Sequence, residues 1–183
     1  MKPGRPARAI VIDIGTPTAA WRRALPRAAT LVRKAAIAAL AGGFPGAPVR
    51  RARKIPARAA FEVSVLLTGN AQVQRLNRAY RGKDKPTNVL SFPADAPPAA
   101  AWMLGDVVIA YGVTKAEAQA EGKLLAAHLS HLVLHGVLHL LGYDHERDQD
   151  AVIMERLERK IMARMGYADP YAVAAPSRTT RRQ

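Results

Sequence analysis

All five histidines of this 183-residue chain fall between His128 and His145, in the run HLSHLVLHGVLHLLGYDH. Three of them, His135, His139 and His145, stand as H-x3-H-x5-H. Imidazole is the commonest transition-metal ligand among side chains, and residues four apart share one helix face, so His135 and His139 can grip one ion. If the helix simply continued, His145 would sit about 9 Å further along and about 240° round. Gly142 resolves this: a glycine can take positive φ, end the helix and let Tyr143-Asp144-His145 turn back. Three neutral imidazoles leave a fourth position for water, the pattern of a catalytic zinc site. Zinc is therefore the expected ion, with nickel, copper and iron also compatible with imidazole.

Each buried imidazole needs a polar partner, and no carboxylate lies within the histidine helix itself. His128 and His131 stand outside the expected ligand set, His131 being placed either behind His135 or at the end of the apolar stripe. The spacing matches the metzincin pattern H-E-x-x-H-x-x-G-x-x-H, except that Gly136 stands where those proteases carry their general base. A zinc peptidase is demoted by that absence. Glycine inside a helix costs about 1 kcal/mol relative to alanine. Its reason here is room beside the metal for a bulky substrate, or else close helix packing.

Several elements must position these residues. Ala9–Ile14 reads as a strand, 26–40 as a helix stopped by Gly42-Gly43, and 43–58 as an exposed loop carrying the RRARK run. Phe61–Thr68 alternates as a strand, and Asn70–Tyr80 is helical before the polar turn 81–86. Thr87–Phe92 and Leu104–Ala110 are strands joined by a proline- and alanine-rich loop. Thr114 with Glu117 suggests a capping box for a short helix. The histidine helix spans 123–141 and is apolar nearly all round, hence central and buried. Asp148 or Asp150 should cap a last helix with the stripe Met154, Leu157, Ile161 and Met165. The result is an α+β chain: a small mixed four-stranded sheet packed by helices, with two right-handed parallel crossovers and then an antiparallel pair. Residues 1–170 form one domain, and a basic tail, 171–183, is expected to be disordered.

The composition narrows the function. There is no cysteine, which excludes disulfides and thiolate zinc sites and makes the cytoplasm the simplest compartment. No apolar run reaches the ~18 residues of a membrane span, and the N-terminus lacks a signal-peptide core. The formal charge is +14 with a pI near 10.9, pointing to a polyanionic partner. Residues 1–60 hold thirteen Lys/Arg against one acid, Asp13, and Arg75, Arg78, Arg81, Lys83 and Lys85 form a second cluster relieved by Asp84.

HGVLHLLGYDH, taken with YRGKDKPTNVLSFP (Tyr80–Pro93) and LGDVVIA (Leu104–Ala110), resembles the YbeY family of bacterial metal-dependent endoribonucleases, from about Phe61 to Tyr171. The resemblance implies an α+β fold and a single-strand-specific endoribonuclease with one zinc. It also implies a role in ribosome biogenesis, covering 16S rRNA 3′-end maturation and ribosome quality control, with ribosomal subunits and an Era-type GTPase as partners. It transfers the metal ligands to His135, His139 and His145, and the functional arginine to Arg81. A guanidinium stays charged and binds phosphoryl oxygens bidentately, which suits Arg81 to that role. Lys83 and Lys85 are candidates for neighbouring phosphates, and Asp144 or Asp106 for orienting a histidine. Two rivals remain: a metzincin-like peptidase and a non-catalytic ribosome-associated factor with a structural metal.

Overall fold

The computed structural model describes residues 10–15, 17–48, 60–94 and 102–172. The RRARK run, most of the loop before Trp102, and the tail from residue 173 lie outside the described residues. The elements are β1 (Ile10–Ile14), α1 (Ala19–Ala24), α2 (Ala28–Gly43) and β2 (Phe61–Thr68). They continue with α3 (Asn70–Arg81), β3 (Val89–Pro93), β4 (Trp102–Ala110), α4 (Tyr111–Ala120), α5 (Leu125–Leu140) and α6 (Asp148–Arg164).

The fold is α+β, with a mixed four-stranded sheet in the order β1-β2-β4-β3. β1–β2 and β2–β4 are parallel and β3–β4 antiparallel. The expected antiparallel pair is present. The second crossover differs from expectation: β3 passes β2's neighbour position to the sheet edge and runs against β4, which takes the parallel place beside β2. The short link from β3 to β4 permits an antiparallel return only, and this outweighs the crossover rule for β2 to β3.

Alternation along the strands sorts two apolar layers. Phe61, Val63, Val65 and Leu67 of β2 and Leu104, Val107 and Ile109 of β4 point into the main core, shared with α2, α5 and α6. The other face is covered in part by α3, through Val73 against Leu90, Val108 and Ala110. Helix α5 lies between α2, α6 and the sheet, as its all-round apolar sequence requires.

Three local readings change. Helix α2 runs through Gly42-Gly43, which are close approaches and not stop signals: a Cβ there would lie 2.7 Å from Ile161 and 2.6 Å from Leu138. Thr114 sits inside α4 with its hydroxyl donating to the Ala110 carbonyl at 2.7 Å, so no capping box forms with Glu117. Helix α6 begins after Arg147, with Asp148 and Asp150 in its first turn, where they meet the positive end of the helix dipole without a side-chain cap.

Gly136 is also settled by packing. A Cβ would lie 2.6 and 3.0 Å from the two methyls of Val107 and 3.1 Å from Ser91 Oγ. The glycine lets α5 press onto β4 and β3, and the Ser91 hydroxyl donates to the Gly136 carbonyl at 3.3 Å. Room for a substrate is not its reason. Alanine in an open helix gains about 1 kcal/mol over glycine; Gly136→Ala is here expected to lose about 1–3 kcal/mol, because β-branched Val107 is fully buried and cannot step aside. Urea unfolding of the two proteins checks this, and equal or higher stability of the variant would contradict it.

Candidate metal centre and its cavity

Helix α5 ends as the sequence requires. Gly142 has φ 85°, its N–H reaches the His139 carbonyl at 2.8 Å, and the Tyr143 N–H reaches the Leu138 carbonyl at 3.1 Å. This paired closure is a Schellman motif, and it reverses the chain so that His145 returns over His135 and His139. The three rings converge, with centroids 4.6 Å (His135–His139), 4.9 Å (His139–His145) and 5.3 Å (His135–His145) apart. One nitrogen from each lies within 4.8 Å of the others. His135 Nε2 and His139 Nε2 are 3.1 Å apart, close to the roughly 3.3 Å that two ligands make on a tetrahedral ion with Zn–N bonds of about 2.0–2.1 Å. The residues fit a bound metal.

The other side of His135 is fixed from α6. Its Nδ1 meets Glu158 Oε1 at 2.8 Å, and the second oxygen of the same carboxylate meets His131 Nε2 at 3.0 Å. Tyr171 donates its hydroxyl to that oxygen as well. Glu158 is fully buried. Burial opposes its ionisation, but the hydrogen bonds with His131 and His135, helped by their charge, outweigh it and bring the carboxyl down to about pKa 2. A carboxylate accepting at Nδ1 fixes the tautomer that leaves Nε2 free for a metal. This orienting group is Glu158, and neither Asp144 nor Asp106. Asp144 accepts the His145 main-chain N–H at 2.7 Å and shapes the turn, while Asp106 lies exposed beside a groove formed with Leu66, Leu76 and Phe92.

The two remaining histidines now have places. His131 stands behind His135 on Glu158, and with His135 and Glu158 it forms a second group close enough to hold an ion. His128 is buried and faces Glu117 Oε2 at 2.9 Å, and Glu117 also accepts from Asn88 Nδ2 at 2.9 Å. Tyr171, at the start of the expected tail, packs on His131 and under Arg159, and burial and the Glu158 charge raise its pKa.

The three histidines open onto a cavity of about 530 Å³. The same cavity is lined by Arg81 from the last turn of α3, with Thr87, Asn88, Val89 and Ser91 leading into β3. The exit of α3 is held by Asn77, whose Nδ2 donates to the Lys85 carbonyl at 2.7 Å. Gln74 adds a bond to Asp84 Oδ1 at 3.1 Å, so the RGKDKP turn is pinned while Arg81 stays exposed. Lys83 and Lys85 are exposed on that turn and do not line the cavity. Among the described residues, no further histidine or carboxylate joins the group of His135, His139 and His145. Burial first, then His135 and His145, lower the pKa of His139 from 6.5 to about 4, against the opposing pull of Asp144. That keeps this imidazole neutral, the form that binds metal.

Three convergent imidazoles that could hold a metal, in a cavity that Arg81 also lines, give this α+β fold a candidate metal centre. The family model "Endoribonuclease YbeY" matches residues 48–166. A protein of that name from Rhodopseudomonas palustris is 59% identical over 116 residues, 61% of this chain and 69% of the relative. Another from Paramagnetospirillum magneticum is 48% identical over 169 residues, 88% of this chain and 96% of the relative. A solution structure of a Thermotoga maritima protein, TM1509, is similar at 19% identity and TM-score 0.42 over 89% of this chain and 99% of that one, and adds nothing to the assignment. The chain belongs to the YbeY endoribonuclease family.

Two outcomes follow from the geometry. Glu158→Gln should weaken zinc binding about 10–100-fold in chelator competition, since the amide presents only one acceptor to two imidazoles; unchanged affinity would contradict the orienting role. Metal-free protein should lose stability as pH falls from 6.5 towards 4, because there the unfolded chain protonates His139 and the folded chain does not. Thermal unfolding across that window, compared with His139→Asn, measures this; identical pH slopes in both proteins would contradict it.

Proposed function

We propose that this protein is a metal-dependent endoribonuclease that hydrolyses single-stranded RNA, with zinc as the ion held by His135, His139 and His145. The observation that carries the reading is one cavity lined both by the three histidines and by Arg81. Family membership and the +14 charge support RNA as the substrate. In the same reading the protein works in the cytoplasm on ribosomal RNA, at the 16S 3′ end and in ribosome quality control. The small subunit and an Era-type GTPase are its partners there. No helix among the described residues is long and apolar enough to cross a membrane.

A zinc ion held by His135, His139 and His145 would supply Lewis acidity and lower the pKa of water to about 7. The chain's own groups do the rest. Glu158 holds His135 in the ligating tautomer, and the Schellman turn holds His145 against the helix pair. Arg81 offers a permanently charged fork to the non-bridging oxygens, where charge grows as the phosphodiester is attacked. Asn88 is locked by its bonds to Glu117 and by the Val89 N–H on its Oδ1 at 2.6 Å, which keeps the β3 wall in register with the histidines.

The rivals fare worse. A metzincin-like peptidase carries its glutamate base directly after the first motif histidine, and that position, 136, is here a glycine pressed on Val107. A structural metal site would be closed by a fourth protein ligand, and none joins the group among the described residues. Arg81→Ala should lower kcat on a labelled single-stranded RNA by about 10²–10³-fold with metal content unchanged, and Arg81→Lys should fall between. His135→Ala should lose both metal and cleavage. Cleavage that persists in metal-free or Arg81→Ala protein would overturn the mechanism, and peptide turnover without RNA cleavage would select the peptidase.

A further inference from the structure

The edge strand β3 has two working faces. Val89, Ser91 and Pro93 line the metal cavity, whereas Phe92 points to the opposite side of the sheet. The last turn of α3 is divided in the same way: Arg81 reaches the metal cavity, and Tyr80, the preceding residue, reaches the groove on the other side. Tyr80 is 70% exposed, although it is a large aromatic side chain, and its ring meets Phe92 edge-on at 5.0 Å and 63°. The groove has a volume of about 390 Å³ and a floor of Leu66, Leu76 and Val108. An aromatic ring held at a rim with its surface in water serves no core. Elsewhere on α3, outside the groove lining, Arg75, Arg78 and Arg81 are exposed. The ion pair of Arg78 with Asp84 is long, at 3.7 Å, and both partners are largely in solvent, so it leaves Arg78 available. Asp106, exposed at the groove, is a carboxylate that would repel phosphate and could accept N–H groups from base edges.

We propose that the Tyr80–Phe92 groove is a stacking subsite for one nucleobase of single-stranded RNA, adjacent to the phosphate held between Arg81 and the three histidines. This rests on the RNA-cleaving reading above. A strand crossing the edge of β3 would place its phosphates along the arginines of α3 and turn a flanking base onto Tyr80. Stacking is tolerant of sequence because every base has a π-face. It also requires an unpaired base, so the subsite favours single-stranded over duplex RNA.

The test is fluorescence-anisotropy binding of a labelled single-stranded oligoribonucleotide to metal-loaded protein, run beside a cleavage assay. Tyr80→Ala should weaken binding and raise KM about tenfold, with kcat, metal content and melting temperature unchanged. Tyr80→Phe and Tyr80→Trp should retain wild-type affinity. A series of oligonucleotides with one abasic nucleotide should contain a position that weakens wild-type binding and leaves Tyr80→Ala binding unaffected. Wild-type cleavage with no loss in Tyr80→Ala, or no such abasic position, overturns the subsite alone. Tyr80-dependent binding by a protein that never cleaves keeps the subsite and overturns the endoribonuclease reading. Wild-type protein that neither binds nor cleaves RNA overturns both.

Discussion

The structure depends on one buried carboxylate. Glu158 lies in the apolar interface between α5 and α6 and is fully buried, where an unpaired charge would cost several kcal/mol. It is paired on both oxygens by His135 and His131 and capped by Tyr171. The same contacts answer the problem of the histidine helix, which is packed on all sides and still has to carry imidazoles. The helix offers no carboxylate of its own, so the acceptors for its imidazoles come from elsewhere: Glu158 from α6 and Glu117 from α4. Structural satisfaction and functional orientation are then one requirement, because the acceptor that satisfies Nδ1 of His135 also turns Nε2 to the cavity.

Glycine supplies the second constraint in two different ways. At 136 the absent side chain brings α5 within contact of Val107, so that β3 residues and the histidines line one cavity. At 142 positive φ closes the helix and returns His145. Arg81 completes the site from a separate element, pinned by bonds of Asn77 and Gln74 to the loop that follows it.

The parts of the site that follow from local spacing were legible in the sequence. The H-x3-H pair and the turn at Gly142 depend on backbone geometry alone, and the sheet and its antiparallel edge pair follow from alternation and loop length. Arg81 was reached through resemblance, because nothing in its neighbours places it in the cavity that His135 lines. Glu158 was missed, although it had a signal: it is a charged residue four after Met154 and three before Ile161, on the apolar stripe of α6. Asp144 and Asp106 drew attention instead through nearness in sequence to the motifs. Gly136 had two readings, and only the position of Val107 separates them. Thr114 followed a capping pattern that tertiary contacts overrode, since the helix starts at Tyr111 and its Glu117 is engaged by Asn88 and His128.

The central claim is that RNA cleavage by this protein needs one ion, which His135, His139 and His145 would hold in the cavity that Arg81 also lines. Titrating zinc into chelator-stripped protein while following cleavage of a single-stranded RNA tests it most directly. The account predicts activity near zero without metal, rising in proportion to added zinc and levelling at one equivalent per chain. Full activity in stripped protein, or a rise that continues to two equivalents, would contradict it.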